Sequence, residues 1–371
     1  CESGAEWVFR YYDGEERAKN GKGGWKDINE NHLKAARGYI FQAAADDVLV
    51  LNIADVRFKK EDKYNELVEH VTENLQDASW NFTGNPYLSY YDINNLGYDA
   101  PITIWNGSSY EAIRPGDDDY HFAPFEAFFV QKPEDKGSVD FNGDDQKTHK
   151  KAKAAQAANA ARRAGAPVAR DRKLVNIAIS GENAAADRTR VVFNDKQSLA
   201  YETACDAVKF ESDAAAQLYT LDNKNVRYAI NERPVGNGTV PVGVKLANSG
   251  RYTISAERMD TDVLLKDEKT GTVHNLAEGA YTFIADAGTD EARFALVFNG
   301  GTTGIEGAVA ADAVAAVDGG VNIENAAGAV VEIYTAAGAV VVSDVVSGYV
   351  ALPAGAYIVK INGNSIKVAV K

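Results

Sequence analysis

Cysteine is almost missing from this chain: Cys1 and Cys205 are the only two. Thiols about two hundred positions apart have neither metal nor redox spacing, which excludes a disulfide-framed scaffold and a Cys-x-x-Cys centre. Cys205 lies in the strand-like Thr203-Ala-Cys-Asp-Ala-Val-Lys-Phe210 and is expected to be a small buried hydrophobe. Histidine is scarce as well. His32, His70, His121, His149 and His274 are scattered, with no pair at the separation a zinc site needs. No Gly-x-Ser-x-Gly nucleophile elbow occurs, and no glycine-rich loop joins a strand to a helix where it could cradle phosphate. Positive charge is the minority sign, 39 Lys and Arg against 53 Asp and Glu for a net charge of −14. Nucleic acid is therefore not expected as a partner. No apolar run approaches the ~18–20 residues of a spanning helix.

What is present is β-forming. With 45% hydrophobic residues in 371, the chain can bury more than one core. From Trp7 to about Phe58, short aromatic and β-branched runs alternate with Asp-Gly and Gly-Gly pairs, the composition of hairpins. Lys59 to Asn74 is polar, with Tyr64, Leu67, Val68, Val71 and Leu75 at spacings of three and four, and predicts a short surface helix or an ordered excursion between strands. Trp80 to Val130 is the richest aromatic stretch, with Gly84-Asn-Pro-Tyr87 as a turn between extended runs. Residues 134–172 pass from an acidic segment to the basic, Ala-rich Lys147–Arg163, a linker or a solvated helix. Beyond Leu174, about ten short runs divided by turn residues predict a β-sandwich resembling a jelly roll. The last stretch ends in Ser365–Lys371, where Ile366, Val368 and Val370 alternate with Lys367, Ala369 and Lys371. The expected fold is all-β and multi-domain, made of jelly-roll-like or immunoglobulin-like sandwiches with one or two short helices in the N-terminal part and the linker. Four segments are expected: 1–133, a β domain; 134–172, the charged linker or helix; 173–303, the larger sandwich; and 304–371, a small C-terminal sandwich.

Candidate sites are few. Tyr87, Tyr90, Tyr91, Trp105 and Tyr110 have flat rings that could stack on sugar faces, or could simply fill a small β core. Asp117-Asp-Asp119 and Asp140, Asn142 and Asp144 offer oxygen ligands, the latter three at alternate positions. They lack the glycine and the terminal acid of a calcium loop, so solvated turns or a structural calcium are the two readings. No other cofactor is expected. Carboxylates are plentiful enough for a glycosidase, but no particular pair stands out. Cys1 at the start of the chain is a candidate for lipidation, as in a processed bacterial lipoprotein.

The segments Glu332-Ile-Tyr-Thr-Ala-Ala-Gly338, Leu352-Pro-Ala-Gly-Ala-Tyr-Ile-Val-Lys360 and Lys367-Val-Ala-Val-Lys371 together resemble the sorting domain of proteins that Bacteroidetes export through the type IX secretion system. The Gly84-Asn-Pro-Tyr87 turn, Arg114-Pro-Gly116, Phe125-Glu-Ala-Phe-Phe-Val130, Asp187-Arg-Thr-Arg-Val-Val-Phe193 and Tyr228-Ala-Ile-Asn-Glu-Arg233 are similar to recurrent pieces of large secreted Bacteroidetes surface proteins. The resemblance implies a secreted or outer-membrane, cell-surface, adhesin-like protein without catalysis, held by a lipid or its C-terminal tail. Its partners would be host or bacterial surface proteins or glycans. The alternative is a carbohydrate-binding module of a polysaccharide-handling system.

Overall fold

The computed structural model describes residues 7–28, 33, 37–43, 63–142, 172–182, 184–212, 214–236, 238–298, 314–323, 330–335, 338–345, 348–361 and 364–371. It divides into two compact units, 1–298 and 299–371. In the first, the chain begins with β1 (Trp7–Asp13), α1 (Gly14–Asn20), β2 (Gly24–Asp27), β3 (Tyr39–Ala43), β4 (Lys63–Glu66), β5 (Trp80–Gly84) and β6 (Tyr91–Asp92). It continues through β7 (Ile102–Trp105), β8 (Tyr110–Ile113), β9 (His121–Phe122), β10 (Ala127–Gln131) and β11 (Ser138–Phe141). These strands form small antiparallel sheets: β2-β1-β3, β5-β10-β7-β8, β11-β4 and β6-β9.

The expected all-β, multi-domain architecture is what the chain adopts, with α1 the single α-helix among the described residues. That helix occupies the Asp13-Gly14 position where a hairpin turn was expected. Asp13 caps it, its carboxylate accepting from the Glu15 amide at 3.0 Å, and Gly21 ends it at φ 66°. The N-cap, early acids and trailing Gly form a helix signature that outweighs the Asp-Gly pair. Of the two readings of Lys59–Asn74, its described part takes the excursion between strands and not the helix. β4 starts there in strand geometry, and the backbone of Val68 is taken by the Asn81 side chain at 2.8 and 2.9 Å. Its Val68 and Val71 stay exposed, so no apolar stripe was available to hold a helix against the core.

The rest of the first unit is a single large sheet: β12 (Lys173–Gly181), β13 (Ala184–Phe193), β14 (Ala207–Val208), β15 (Ala216–Leu221), β16 (Arg227–Arg233), β17 (Thr239–Leu246), β18 (Gly250–Met259), β19 (Leu264–Asp267), β20 (Thr272–Asn275), β21 (Tyr281–Ala285) and β22 (Gly288–Val297). Its order is β20-β19-β22-β17-β15-β16-β13-β12-β18-β21, with β14 alongside β16, and only β13 and β16 pair in parallel. The two layers expected of a sandwich are opposite walls of this one sheet, which rolls until it nearly closes. Alternate residues such as Val175, Ile177, Val242, Val244, Ile254, Leu265 and Leu296 share one core, each burial worth about 1.5–3 kcal/mol. At the seam, Phe283 of β21 packs on Phe294 of β22, and Arg293 donates to the Ile284 carbonyl at 3.0 Å. Arg293 also pairs with Asp267, 1% exposed, at 2.8 Å.

The expected division at residues 133–173 does not separate compact units. Trp80 and Phe129 share a core with Tyr201, Val208 and Tyr228, and Ala112 shares another with Leu174, Val192 and Ile230. Sheet β5-β10-β7-β8 has one face too apolar to stand in water, and the rolled sheet covers it. The Ala-rich Lys147–Arg163 lies outside the described residues.

The second unit has β23 (Val314–Val317), β24 (Gly320–Ile323), β25 (Val330–Thr335), β26 (Val340–Val345), β27 (Gly348–Ala351), β28 (Gly355–Ile361) and β29 (Asn364–Val370). They form two sheets, β23-β24-β27 and β26-β25-β28-β29. Val321, Ile323, Val331, Ile333, Tyr357, Val359 and Val370 fill the space between them. In β29, Val368 and Val370 turn inward while Lys367 and Ala369 stay exposed.

Candidate binding groove

Strand alternation gives sheet β5-β10-β7-β8 two different faces. Phe128, Val130, Ile102, Ile104 and Ile113 point to a closed core with Tyr87, Tyr91, Phe122 and Phe141. The register pairs Phe129 with Phe82 and Thr103, and Trp105 with Tyr110, so these residues share the opposite face. That face meets Tyr12 and Trp25 on one side and Phe210 and Tyr228 on the other.

The contact is incomplete, and a cleft of about 620 Å³ remains, lined by Tyr12, Trp25, Tyr110, Phe129 and Phe210 with Arg17, Lys22, Asp77, Glu211 and Arg227. A second hollow of about 540 Å³ adjoins it, lined by Trp105, Ser108, Ser212 and Lys245, and the two share Tyr110 and Glu211. Together they make one groove. Trp105 is 50% exposed and stands edge-on to Tyr110 at 5.0 Å; Tyr110 in turn meets Phe210 at 5.4 Å. Gly23 lies over the floor, since a Cβ there would approach the Tyr12 ring at 3.0 Å.

Arg17, on α1, is a largely buried charge of the cleft. It is 9% exposed, with its guanidinium 4.8 Å from the Trp80 ring and 4.4 Å from that of Phe210. Its Nε donates to Asp77 at 3.1 Å, and its charge lies beside the Tyr12 hydroxyl. The Tyr12 hydroxyl is buried, and its O–H meets no acceptor among the described residues. Burial pushes the Tyr12 phenol up, opposed by the charge and a hydrogen bond of Arg17. Glu211 is held below the usual carboxylate range, first by Lys245, which donates to it at 2.5 Å, and also by Arg227 against the opposing effect of burial. It is an anion, not a proton donor.

The aromatic candidates separate. Trp105 and Tyr110 line the groove. Tyr87 and Tyr91 do not: 6% and 0% exposed, they stack on each other at 6.0 Å, and their hydroxyls donate to the carbonyls of Phe141 and Asn95. Tyr90 is half-buried and lines neither hollow. The proposed oxygen ligands fare no better. Asp140 stands on the exposed face of β11, between buried Val139 and Phe141, and accepts from Ser138 at 2.7 Å. Asn142 is exposed beyond the strand end, whereas Asp144 and Cys1 lie outside the described residues. Among the described residues no group of three His, Cys, Asp or Glu could hold a metal ion.

The Asp117-Asp-Asp119 turn serves another purpose. Asp117 takes a two-pronged contact from Arg172 at 2.8 and 2.9 Å, and Asp118 one from Arg190 at 2.7 and 2.6 Å. Arg172 and Arg114 also converge on Glu232, 2% exposed, which Asn194 reaches at 2.7 Å. Asp206 accepts the Glu232 amide at 2.7 Å and the Glu202 amide at 2.8 Å. These planar ion pairs lock the turn against β12, β13 and β16, the geometry in which guanidinium and carboxylate match best. Cys205, 2% exposed, is an inert neighbour whose thiol is pushed up by burial.

The groove residues contributed by β1, α1 and β2 escaped sequence reading because that region was read only as hairpins. Asp13, Glu15, Glu16 and Gly21 could have revealed the helix and thereby the fixed position of Arg17.

The sequence profile of a family described as Domain of unknown function (DUF8693) matches residues 89–298. No curated protein and no solved structure matches the chain. The matched span holds Trp105, Tyr110, Phe129 and Phe210 of the groove, the aspartate turn with the arginines that grip it, and the whole rolled sheet. Covering more than half of the sequence, that match makes this chain a member of the DUF8693 family.

Proposed function

We propose that this is a non-catalytic, glycan-binding protein of the bacterial surface, in which the groove holds a carbohydrate chain and the rest of the molecule displays it. The observation that carries the reading is the continuous aromatic track from exposed Trp105 through Tyr110 to Phe210. Flat rings in an open, elongated groove suit stacking on sugar faces, with polar groups at the edge to fix orientation. A binding role is supported over hydrolysis by the carboxylates that line the groove. Glu211, shared by both hollows, is held as an anion by Lys245 and Arg227, unlike the proton-donating acid of a glycosidase. The C-terminal unit, with its likeness to a sorting domain, serves in this reading as the address or attachment tail. No helix among the described residues is long and apolar enough to cross a membrane.

A glycan array probed with the full chain tests the proposal. Binding to a defined set of oligosaccharides is expected, and Trp105→Ala and Tyr110→Ala should each weaken it by about tenfold or more, as removal of a stacking ring does elsewhere. Binding that persists unchanged in both variants, or an empty array, would overturn it.

A further inference from the structure

The cleft end of the groove contains more unused hydrogen-bond donors than a neutral sugar requires. Arg17 is 9% exposed, packed against the touching rings of Trp80 and Phe210 and tied to Asp77 through Nε. A guanidinium carries five N–H donors in a fixed fork, and beyond the Nε contact to Asp77 its one near partner is the Tyr12 hydroxyl, whose phenolate it favours by a hydrogen bond and by its charge. That hydroxyl is buried, and its own O–H meets no acceptor among the described residues. Lys22, exposed at the rim, makes no ion pair with the described residues. A buried O–H left open, as at Tyr12, is costly unless something arrives to accept from it.

We propose, building on the glycan reading, that the groove selects acidic sugars, and that the Arg17 fork, the Tyr12 hydroxyl and Lys22 receive the anionic group while Trp25, Tyr110 and Phe210 contact the ring that bears it. A sugar carboxylate matches the planar fork with two parallel hydrogen bonds, and a sulfate ester presents similar oxygens. The low-dielectric flanks of Trp80 and Phe210 strengthen the attraction and keep the fork from turning away. All three receptor residues precede the stretch matched by the family profile. Anion selection is thus a property that the N-terminal segment adds to a groove whose other wall the family domain supplies.

The test is calorimetric titration of the full chain with uronate-bearing, sialylated and sulfated oligosaccharides, each beside its neutral counterpart. At least one acidic ligand should bind about tenfold tighter than its neutral partner, and added salt should reduce only that advantage. Tyr12→Phe and Lys22→Gln, both expected to fold normally, should each lower acidic-ligand affinity several-fold more than that of the neutral partner; an equal loss for both ligands would overturn the anion inference. Arg17→Lys keeps the charge but loses the fork, and it should remove preference among anions of different shape. Equal affinity for the acidic and neutral members overturns the anion inference and leaves glycan binding standing. Failure of every oligosaccharide overturns the glycan reading as well. Tighter binding of an Asp- and Glu-rich peptide than of any acidic sugar would replace the sugar with a protein ligand and likewise overturn it.

Discussion

Arg17 and Arg190 are both buried in the first unit, 9% and 5% exposed, yet their hydrogen bonding is opposite. Arg190 uses every nitrogen: Nε donates to Asn176 at 2.8 Å, and both terminal nitrogens grip Asp118. Arg172 is likewise complete, divided between Asp117 and Glu232. Arg17 fixes Nε on Asp77 and carries its terminal nitrogens beside the Tyr12 hydroxyl and a cleft. A guanidinium with every nitrogen held by carboxylates or amides is a structural tie, because little more can bind it without breaking what is there. One that is rigid and keeps donors beside a cleft is preorganised for a ligand.

The comparison breaks most visibly under Arg190→Met. That change strands Asp118 in a site with only 19% of its side chain exposed, with the Arg114 amide as its remaining donor at 2.7 Å. Loss of one member of a buried pair costs about 3–5 kcal/mol, and urea unfolding should register it. Adding Asp118→Leu should recover much of the loss, since an apolar pair of similar size replaces a buried ion pair with little penalty. A single-variant cost under about 1 kcal/mol would mean that the aspartate turn is held by something else.

Acid should separate the two sites next. Burial would raise the Asp117 carboxyl, but Arg172, Arg190 and Arg114 outweigh it and hold it below the ordinary range. Glu232 is lowered in the same way by Arg172, Asn194 and Arg114 against burial. A depressed folded pKa stabilises the fold above the unfolded value, about 4, and that contribution disappears as pH falls through the folded value. Asp206 runs the other way, pushed up to about 8, chiefly by burial. Its folded form keeps a proton that the unfolded chain releases near pH 4, so its contribution declines as pH rises from about 4 to about 8 and is level beyond. Unfolding at a series of pH values should show a fall below about 4 from the clamp and a gentler decline toward 8 that Asp206→Asn flattens. Hydrogen exchange at low pH should open β12 and β16 before α1; the reverse order would contradict the assignment of the acid-sensitive pairs to the clamp.

The sequence made the strands legible and left the site obscure for one physical reason. Alternation of apolar and polar residues is local, so the runs of the rolled sheet read as strands and are strands, with β20, whose Thr272-Val-His-Asn275 has little apolar content, passed over there and β23 and β24 in the Ala- and Gly-rich start of the second unit. Which face a ring occupies depends on what covers the sheet. Phe128 and Phe129 are neighbours in sequence, but the first is sealed at 0% exposure among Phe122 and Phe141 while the second forms the floor of the groove. Tyr87 and Tyr110 were equal candidates on composition, and only long-range packing divides them. The ionic clamp was hidden similarly, since Asp117 and Arg172 are far apart in the chain and an acidic turn looks solvated until its arginines are placed.

The smallest effect discriminates most sharply between an open and a closed site. Tyr98, 1% exposed, donates its hydroxyl to the Gln131 carbonyl at 2.7 Å, whereas the Tyr12 hydroxyl, equally out of water, has no acceptor. Tyr98→Phe removes a satisfied buried hydrogen bond and should cost about 1 kcal/mol, in part because the Gln131 carbonyl loses its donor. Tyr12→Phe deletes a hydroxyl whose O–H has no acceptor among the described residues, and stability should change by less than for Tyr98→Phe, staying level or rising by up to about 1 kcal/mol. If urea midpoints fall equally in both variants, the Tyr12 hydroxyl already has a partner, such as a bound water, and the cleft is as closed as the clamp. If only Tyr98→Phe falls, the chain tolerates an unsatisfied buried donor at Tyr12 that its own fold does not need, which is the mark of a group kept for something that binds.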